Sequence, residues 1–289
     1  MKLFDRKFGK EFMASLPAQP GVYRIFDGNG VLIYIGKAKN LRRRLSQYRN
    51  AKRRKKHLKM RKIVADADRI EFEVCETELD ASLKEAKLIQ ELRPKWNVAG
   101  AFYFLYPMVG IRKHGETVQF CYTTEPEKFS GFQFHGAFRS RSLTRLAFWS
   151  MIELLEYVSH RVPRDKKAVI PKHSYVIGFR RFPDSWIPFC EQYFRGESLQ
   201  WMEELILALV ENAGARRQPK DIQKLLNGLK IFWRHESLSL RKVIRATQFE
   251  QYPVPQRERD VLYVMRRYQA APIKPGAKNE SRHSTSEVC

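Results

Sequence analysis

The strings Gly21-Val22-Tyr23 and Tyr34-Ile35-Gly36 flank Asp27-Gly28-Asn29-Gly30, and this arrangement constrains the fold more than any other stretch of the chain. β-branched and aromatic residues on both sides read as strands, and Asp-Gly-Asn-Gly is a strong turn signal. A symmetric hairpin about Gly28-Asn29 pairs Tyr23 with Tyr34, whether the loop has two residues or four. Directly opposed residues on antiparallel strands share a face with Cβ atoms roughly 5 Å apart, so two phenols are expected side by side. Lys37, Lys39, Arg42, Arg43 and Arg44 follow at once. Paired phenols next to fixed cations suit an anion, and a phosphate is the natural candidate.

The charge balance supports that reading. The chain has 289 residues and a formal net charge of +23, which argues for a polyanionic partner. Between Lys37 and Lys62 there are fourteen Lys or Arg residues and no Asp or Glu. Such a run is either a solvated face or a phosphate-contacting one, and its place directly after the phenols favours the second. Lys39, Arg42, Arg43, Arg49, Lys52, Arg53, Arg54, Lys55 and Lys56 are therefore candidate DNA contacts. A membrane surface is the competing polyanion, but no apolar run reaches bilayer length and no basic amphipathic helix stands out. Residues 1–10 are charged and lack the apolar core of a secretion signal, so a cytoplasmic location is expected. Cys75, Cys121, Cys190 and Cys289 are scattered without Cys-x-x-Cys spacing, which suggests neither a zinc site nor a disulfide framework.

Along the chain, residues 1–15 read as a polar lead-in and 16–99 as a compact domain. Asn40 is a plausible N-cap for a helix with Leu41, Leu45 and Tyr48 on one face. Residues 69–75 alternate as a half-buried strand. A helix is expected from Thr77, where Thr77 and Asp80 form a capping box, to Arg93-Pro94. Residues 100–160 form a middle region: a β-rich stretch over 102–124, turning at His114-Gly115, and an aromatic-rich helix over 142–160. Residues 161–269 read as mainly helical, with prolines breaking 161–185 and helices near 186–212, 219–233 and 255–268. The tail 270–289 has the composition of a disordered segment.

Within the 77–92 helix, Asp80, Lys84, Lys87 and Glu91 gather on one polar arc. Glu85 does not join them: its helical neighbours are Ala81, Leu88, Ile89 and Leu92. A carboxylate on that side faces the protein and costs several kcal/mol unless it is paired or binds a cation. It is either salt-bridged to an arginine or a ligand for a divalent metal in phosphodiester chemistry. Arg44 and Tyr48, spaced i,i+4, share a helix face, and Arg44 can clamp a phosphate with two parallel hydrogen bonds.

These residues together resemble a known family. Gly21-Val22-Tyr23, the run Tyr34-Ile35-Gly36-Lys37-Ala38-Lys39-Asn40-Leu41-Arg42-Arg43-Arg44, Tyr48, and Glu85 to Asn97 look like a GIY-YIG nuclease domain of the UvrC type. The resemblance implies an α/β (α+β) fold with a central three-stranded antiparallel sheet flanked by helices, followed here by mixed β and then mainly helical chain. It implies a metal-dependent DNA endonuclease acting in nucleotide excision repair, with one Mg2+ or Mn2+ held at Glu85. The implied catalytic set is Tyr23, Tyr34, Lys37, Arg44, Tyr48, Glu85 and Asn97. A tyrosine, Tyr23 or Tyr34, helps deprotonate the attacking water, with Lys37 holding the phenol's pKa down. Arg44 stabilises charge on the phosphate, and Tyr48 and Asn97 position the phosphate and neighbouring side chains. Glu85 is then expected to approach the face that carries both tyrosines. Implied partners are damaged or distorted double-stranded DNA and UvrB loaded by UvrA.

Residues 101–160 resemble, more weakly, the UvrC segment after the nuclease domain, through Tyr106-Pro107-Met108-Val109 and Phe134 to Ser140. The helical stretch near 186–232 is a candidate counterpart of the UvrB-binding hairpin. The chain has no counterpart of UvrC's cysteine cluster, and its length is expected to leave no room for a second endonuclease half or a tandem helix-hairpin-helix unit. Two other readings stand beside excision repair: a non-catalytic DNA-binding or docking module, and a structure-specific nuclease outside that pathway.

Overall fold

A computed structural model describes residues 1–97, 101–163 and 170–269. The expected polar lead-in is instead two short helices, α1 (Leu3–Phe8) and α2 (Lys10–Ser15). Phe4, Phe8 and Phe12 recur at helical spacing between charged residues and cluster, with the Phe4 and Phe8 rings 4.7 Å apart. Phe4 is buried against the domain that follows. Burying one such ring contributes about 1.5–3 kcal/mol towards holding the N-terminus down.

Strands β1 (Gly21–Phe26) and β2 (Leu32–Ala38) form the anticipated hairpin, but in a different register. Tyr23 lies opposite Gly36, and Tyr34 lies opposite Ile25. The symmetric pairing of Tyr23 with Tyr34 is thus corrected, and the loop gives the reason. The Asp27 carboxylate accepts from the backbone N–H groups of Asn29 at 3.0 Å and Val31 at 2.9 Å, which draws Val31 into the turn. The ladder then shifts at Ile25/Phe26. The offset between the two tyrosines' partners is two residues, and an even offset keeps both side chains on the same face. Their rings sit diagonally, 6.1 Å apart.

Helices α3 (Leu41–Arg49) and α4 (Leu58–Asp66), strand β3 (Arg69–Val74) and helix α5 (Glu78–Leu92) complete the domain. The sheet is antiparallel in the order β2-β1-β3. One face carries Tyr23, Ile25 and Tyr34 against Leu41, Leu45 and Tyr48 of α3 and Ile63 of α4. The other carries Val22 and Ile35 against Ala81 and Ile89 of α5. Local signals act as read: Asn40 accepts from the Arg43 N–H at 2.8 Å, and Thr77 and Asp80 make a reciprocal capping box. Helix α5 ends with Arg93 in the left-handed region, φ 44°, ahead of Pro94.

A second sheet follows, made of β4 (Met108–His114), β5 (Thr117–Thr123) and β6 (Gln133–His135), then helix α6 (Arg141–Val158), then β7 (His160–Val162) and β8 (Tyr175–Arg180). Its order is β6-β4-β5-β8-β7, antiparallel throughout. Val109, Phe120 and Tyr122 pack with Phe148, Met151 and Leu155 of α6 in the largest core. Strand β8 was not expected in the proline-broken 161–185 stretch.

Helices α7 (Trp186–Phe194), α8 (Gln200–Glu211), α9 (Ala213–Arg216), α10 (Pro219–Phe232), α11 (Leu238–Thr247) and α12 (Glu258–Gln269) cover this core. The helix expected over 186–212 is broken at Gly196, where φ is +71° and a Cβ would lie 2.5 Å from the Ser237 carbonyl oxygen. Helix α11 had no counterpart in the sequence reading. The tail expected over 270–289 lies outside the described residues. Among the described residues no helix is long and apolar enough to cross a membrane.

Candidate nuclease site

The tyrosine face of the hairpin is a closed cluster of phenols around one guanidinium. The Tyr23 hydroxyl meets that of Tyr48 at 3.1 Å and accepts from Arg44 Nε at 3.1 Å. Arg44 Nη1 donates to Gln47 at 2.8 Å, and the guanidinium lies 5.5 Å from the centroid of the Tyr48 ring. Arg44 Nη2 has no hydrogen-bond partner among the described residues. Gly36 makes room for this cluster: a Cβ there would lie 2.4 Å from the Tyr23 Cζ and hydroxyl. Burial, reinforced by the neighbouring Tyr34, holds the Tyr23 phenol above its ordinary pKa, and burial does the same to Tyr48. Tyr34 stands apart, with 9% of its surface exposed and no hydrogen bond from its hydroxyl among the described residues. The Lys59 ammonium lies 5.4 Å from its ring centroid. Lys59 belongs to the basic run but was not singled out from the sequence.

The outer edge of β2 builds the second part of the site. An edge strand leaves a row of backbone groups that need partners. Here the Trp96 N–H donates to the Ile33 carbonyl at 3.0 Å. The Asn97 side chain accepts from the Ile35 N–H and donates to the Ile35 carbonyl, both at 2.8 Å. The next free N–H, that of Lys37, donates to Glu85 Oε1 at 3.0 Å. Glu85 therefore meets the sheet at the edge of β2, where the charge of Arg44, the guanidinium bound to Tyr23, also acts on it. Gly36 connects the two: its bare face holds Tyr23, and the following N–H holds Glu85.

Burial raises the Glu85 pKa, opposed by the Lys37 N–H bond and by the charges of Lys37 and Arg44. No ion pair involves Glu85 among the described residues, so the salt-bridge alternative does not hold there, and its second oxygen carries no hydrogen bond. Both functional groups of the Asn97 amide are occupied by Ile35. Asn97 thus fixes the strand.

Lys37 also departs from expectation. Its ammonium donates to Ser82 Oγ on α5 and to the Tyr268 hydroxyl on α12, the latter at 3.1 Å, and has no hydrogen bond to Tyr23, Tyr34 or Tyr48 among the described residues. The cation beside Tyr23 is Arg44. Tyr268 is a contact that sequence reading missed: 231 positions separate it from Lys37, and no motif marks it.

The basic candidates divide into two groups. Arg49 forms a bidentate pair with Asp5 at 2.6 and 3.1 Å, and Arg42 Nε donates to the Leu16 carbonyl at 2.7 Å. Both tie the N-terminal helices to α3. Lys39 pairs with Glu78 at 3.4 Å on the surface. Arg43, Lys52, Arg53, Arg54, Lys55 and Lys56 are exposed and have no ion pair among the described residues. A cleft of about 700 Å³ opens beside Tyr48 and is lined by Lys2, Lys52, Arg61 and Lys62.

The three-stranded antiparallel sheet flanked by helices is the fold of a GIY-YIG domain. Residues 19–98 match the family model described as a UvrC-like GIY-YIG domain. Among curated proteins, the UvrABC system protein C of Maricaulis maris is 34% identical over 117 residues, 40% of this chain and 18% of that protein. The UvrABC system protein C of Bartonella quintana is 44% identical over 97 residues, 34% of this chain and 14% of that protein. This chain thus spans less than one fifth of either relative. Among solved structures, the GIY-YIG N-terminal endonuclease domain of UvrC from Thermotoga maritima, bound to its catalytic magnesium, is 43% identical and covers 31% of this chain and 94% of that one, at a TM-score of 0.27.

Proposed function

We propose that this protein is a metal-dependent endonuclease that hydrolyses a phosphodiester bond in damaged or distorted double-stranded DNA, as part of nucleotide excision repair. The observation that carries the reading is Glu85: a half-buried carboxylate, held through one oxygen by the Lys37 N–H, with no hydrogen-bond partner on its other oxygen and no ion pair among the described residues. A carboxylate left in that state fits a divalent ion. Among the described residues no group of three or more potential ligands gathers, and magnesium does not need one: it keeps several waters and takes one or two carboxylates plus phosphate oxygens. The bound ion would supply positive charge at the scissile phosphate and lower the pKa of a nearby water.

The chain's own residues then divide the work. Tyr34 is the phenol with an uncommitted hydroxyl: it gives its own proton to solvent and, as phenolate, accepts that of the attacking water, whereas the Tyr23 hydroxyl is committed to Tyr48 and Arg44. Arg44 uses its free Nη2 on the phosphate oxygen that gains charge. Lys37 holds a second phosphate oxygen. Arg43 and the 52–56 run contact the flanking backbone. The likeness to UvrABC system protein C supports UvrB loaded by UvrA as the partner.

The test is nicking of a lesion-bearing duplex in magnesium, with and without UvrA and UvrB. Glu85→Gln is expected to abolish nicking while leaving DNA affinity intact. Nicking that persists in the variant, or without divalent metal, would overturn the reading. Lesion-blind cutting without UvrA and UvrB would favour a structure-directed nuclease outside excision repair.

A further inference from the structure

Helix α12 lies outside the matched domain yet ends on its candidate site. Its first turn is fixed by the middle region: Arg259 Nε donates to the Ala137 carbonyl at 3.0 Å, and Asp260 accepts from the Tyr106 hydroxyl at 2.7 Å and pairs with Arg139 at 3.3 Å. Both Arg259 and Asp260 are buried. Just upstream, Gln256 Nε2 donates to the Tyr106 carbonyl at 2.6 Å and the Thr124 carbonyl at 2.9 Å. From this anchored base α12 runs along α5. Val261, Val264 and Tyr268, at i, i+3 and i+7, share one half-buried stripe. At its end the Tyr268 hydroxyl meets Ser82 Oγ at 2.8 Å and the Lys37 ammonium at 3.1 Å, with the ammonium 5.3 Å from the ring centroid.

We infer that Tyr268 is a positioning residue for Lys37, so that the catalytic site is completed by the far end of the chain. The inference rests on the nuclease reading above. Its physical basis is the kind of partner Lys37 has been given. No carboxylate lies within ion-pairing distance of the Lys37 ammonium among the described residues. Instead, two neutral oxygens, Ser82 Oγ and the Tyr268 hydroxyl, accept from it. A carboxylate would fix the ammonium and also neutralise it; hydroxyls fix it and leave its charge and one N–H for a phosphate oxygen. A lysine left free would lose that aim to rotamer entropy. Ser82 is itself oriented, since its hydroxyl donates to the Glu78 carbonyl at 2.7 Å. Tyr268 is the element of this pair that depends on the C-terminal helix.

Tyr268→Phe keeps the ring over Lys37 and removes only the hydroxyl. It is expected to lower kcat roughly ten-fold with KM unchanged, the size of one lost hydrogen bond to a charged group. In a Lys37→Met background the same change is expected to do nothing, because the group being positioned is gone. Additive losses in the double variant, unchanged kcat in Tyr268→Phe, or faster cleavage would each overturn the inference. A second readout needs no activity. Acylation of Lys37 by an amine-reactive reagent, followed by mass spectrometry against Lys55 as surface reference, should rise several-fold in Tyr268→Phe. Equal labelling would refute the contact, whereas a wild-type chain that cuts nothing yet shows the labelling difference would refute only the nuclease reading.

Discussion

Gly36 and Tyr23 face each other across the hairpin so closely that a single methyl group at 36 would lie 2.4 Å from the phenol. The glycine of the second string is there for the tyrosine of the first. Gly36→Ala should push the Tyr23 ring from Tyr48 and Arg44 and cost about 1–3 kcal/mol, the usual range for overpacking. Denaturant unfolding measures the cost, and nicking should fall with it.

Arg44 offers a sharper test of geometry against charge. Its Nε and Nη1 are fixed by Tyr23 and Gln47, which aims Nη2. Arg44→Lys keeps the charge and loses the fork. Single-turnover cleavage should drop roughly 100-fold, comparable to losing one preorganised donor to a developing oxyanion, while binding at fixed salt changes little.

The basic residues should separate by salt titration. Replacing Arg43 or Lys55 by alanine should reduce the slope of log affinity against log salt by about one each, with stability unchanged. Arg49→Ala should do the reverse: unfold the chain more easily, because Asp5 loses its partner, and leave the slope nearly intact. Filter binding across a salt series and thermal melts distinguish the two patterns.

Acid should weaken the middle region through His135. This ring is buried against Phe194, and burial, with Arg195 nearby, lowers its pKa to about 3. A histidine depressed on folding adds stability above its unfolded pKa and loses it as pH falls. The loss starts near pH 6.5 and grows by about 1.4 kcal/mol per pH unit until the folded pKa is reached. Unfolding free energies at pH 7 and pH 5 should differ by about 2 kcal/mol more in the wild type than in His135→Gln.

The hairpin, the Asn40 cap, the Thr77-Asp80 box and the inward Glu85 were legible because each depends on residues within one turn or one helix. The hairpin register was not, because Asp27 pulls Val31 into the loop through side-chain bonds that a symmetric turn does not contain. Arg42 and Arg49 read as DNA contacts because a one-dimensional charge run does not show that Leu16 and Asp5 fold back onto α3. Tyr268 was invisible for a related reason: its meaning comes entirely from where α12 docks. Strand β8 was missed because Pro163, Pro171 and Pro183 mark the stretch as broken and Gly178 interrupts the strand, whereas helix α11 carries Leu240, Val243 and Ile244 at helical spacing with no Pro or Gly inside it, so its signal was present in the sequence. In the GIY-YIG domain the candidate residues gather around strand β2, although the Lys37 ammonium meets Ser82 and Tyr268 rather than a phenol of the hairpin.

The arrangement along β2 also bears on how the protein behaves in company. The strand is almost wholly apolar, Leu-Ile-Tyr-Ile-Gly-Lys-Ala, and it lies at the margin of its sheet. The opposite margin, β3, defends itself with charge, where Glu71 and Glu73 meet Arg69, Lys84 and Arg24. Among the described residues strand β2 has no such screen; Trp96, Asn97 and Glu85 plug its backbone one group at a time. The carboxylate proposed to hold the metal is also a guard against strand addition by a second molecule, so chemistry and solubility select for the same side chain.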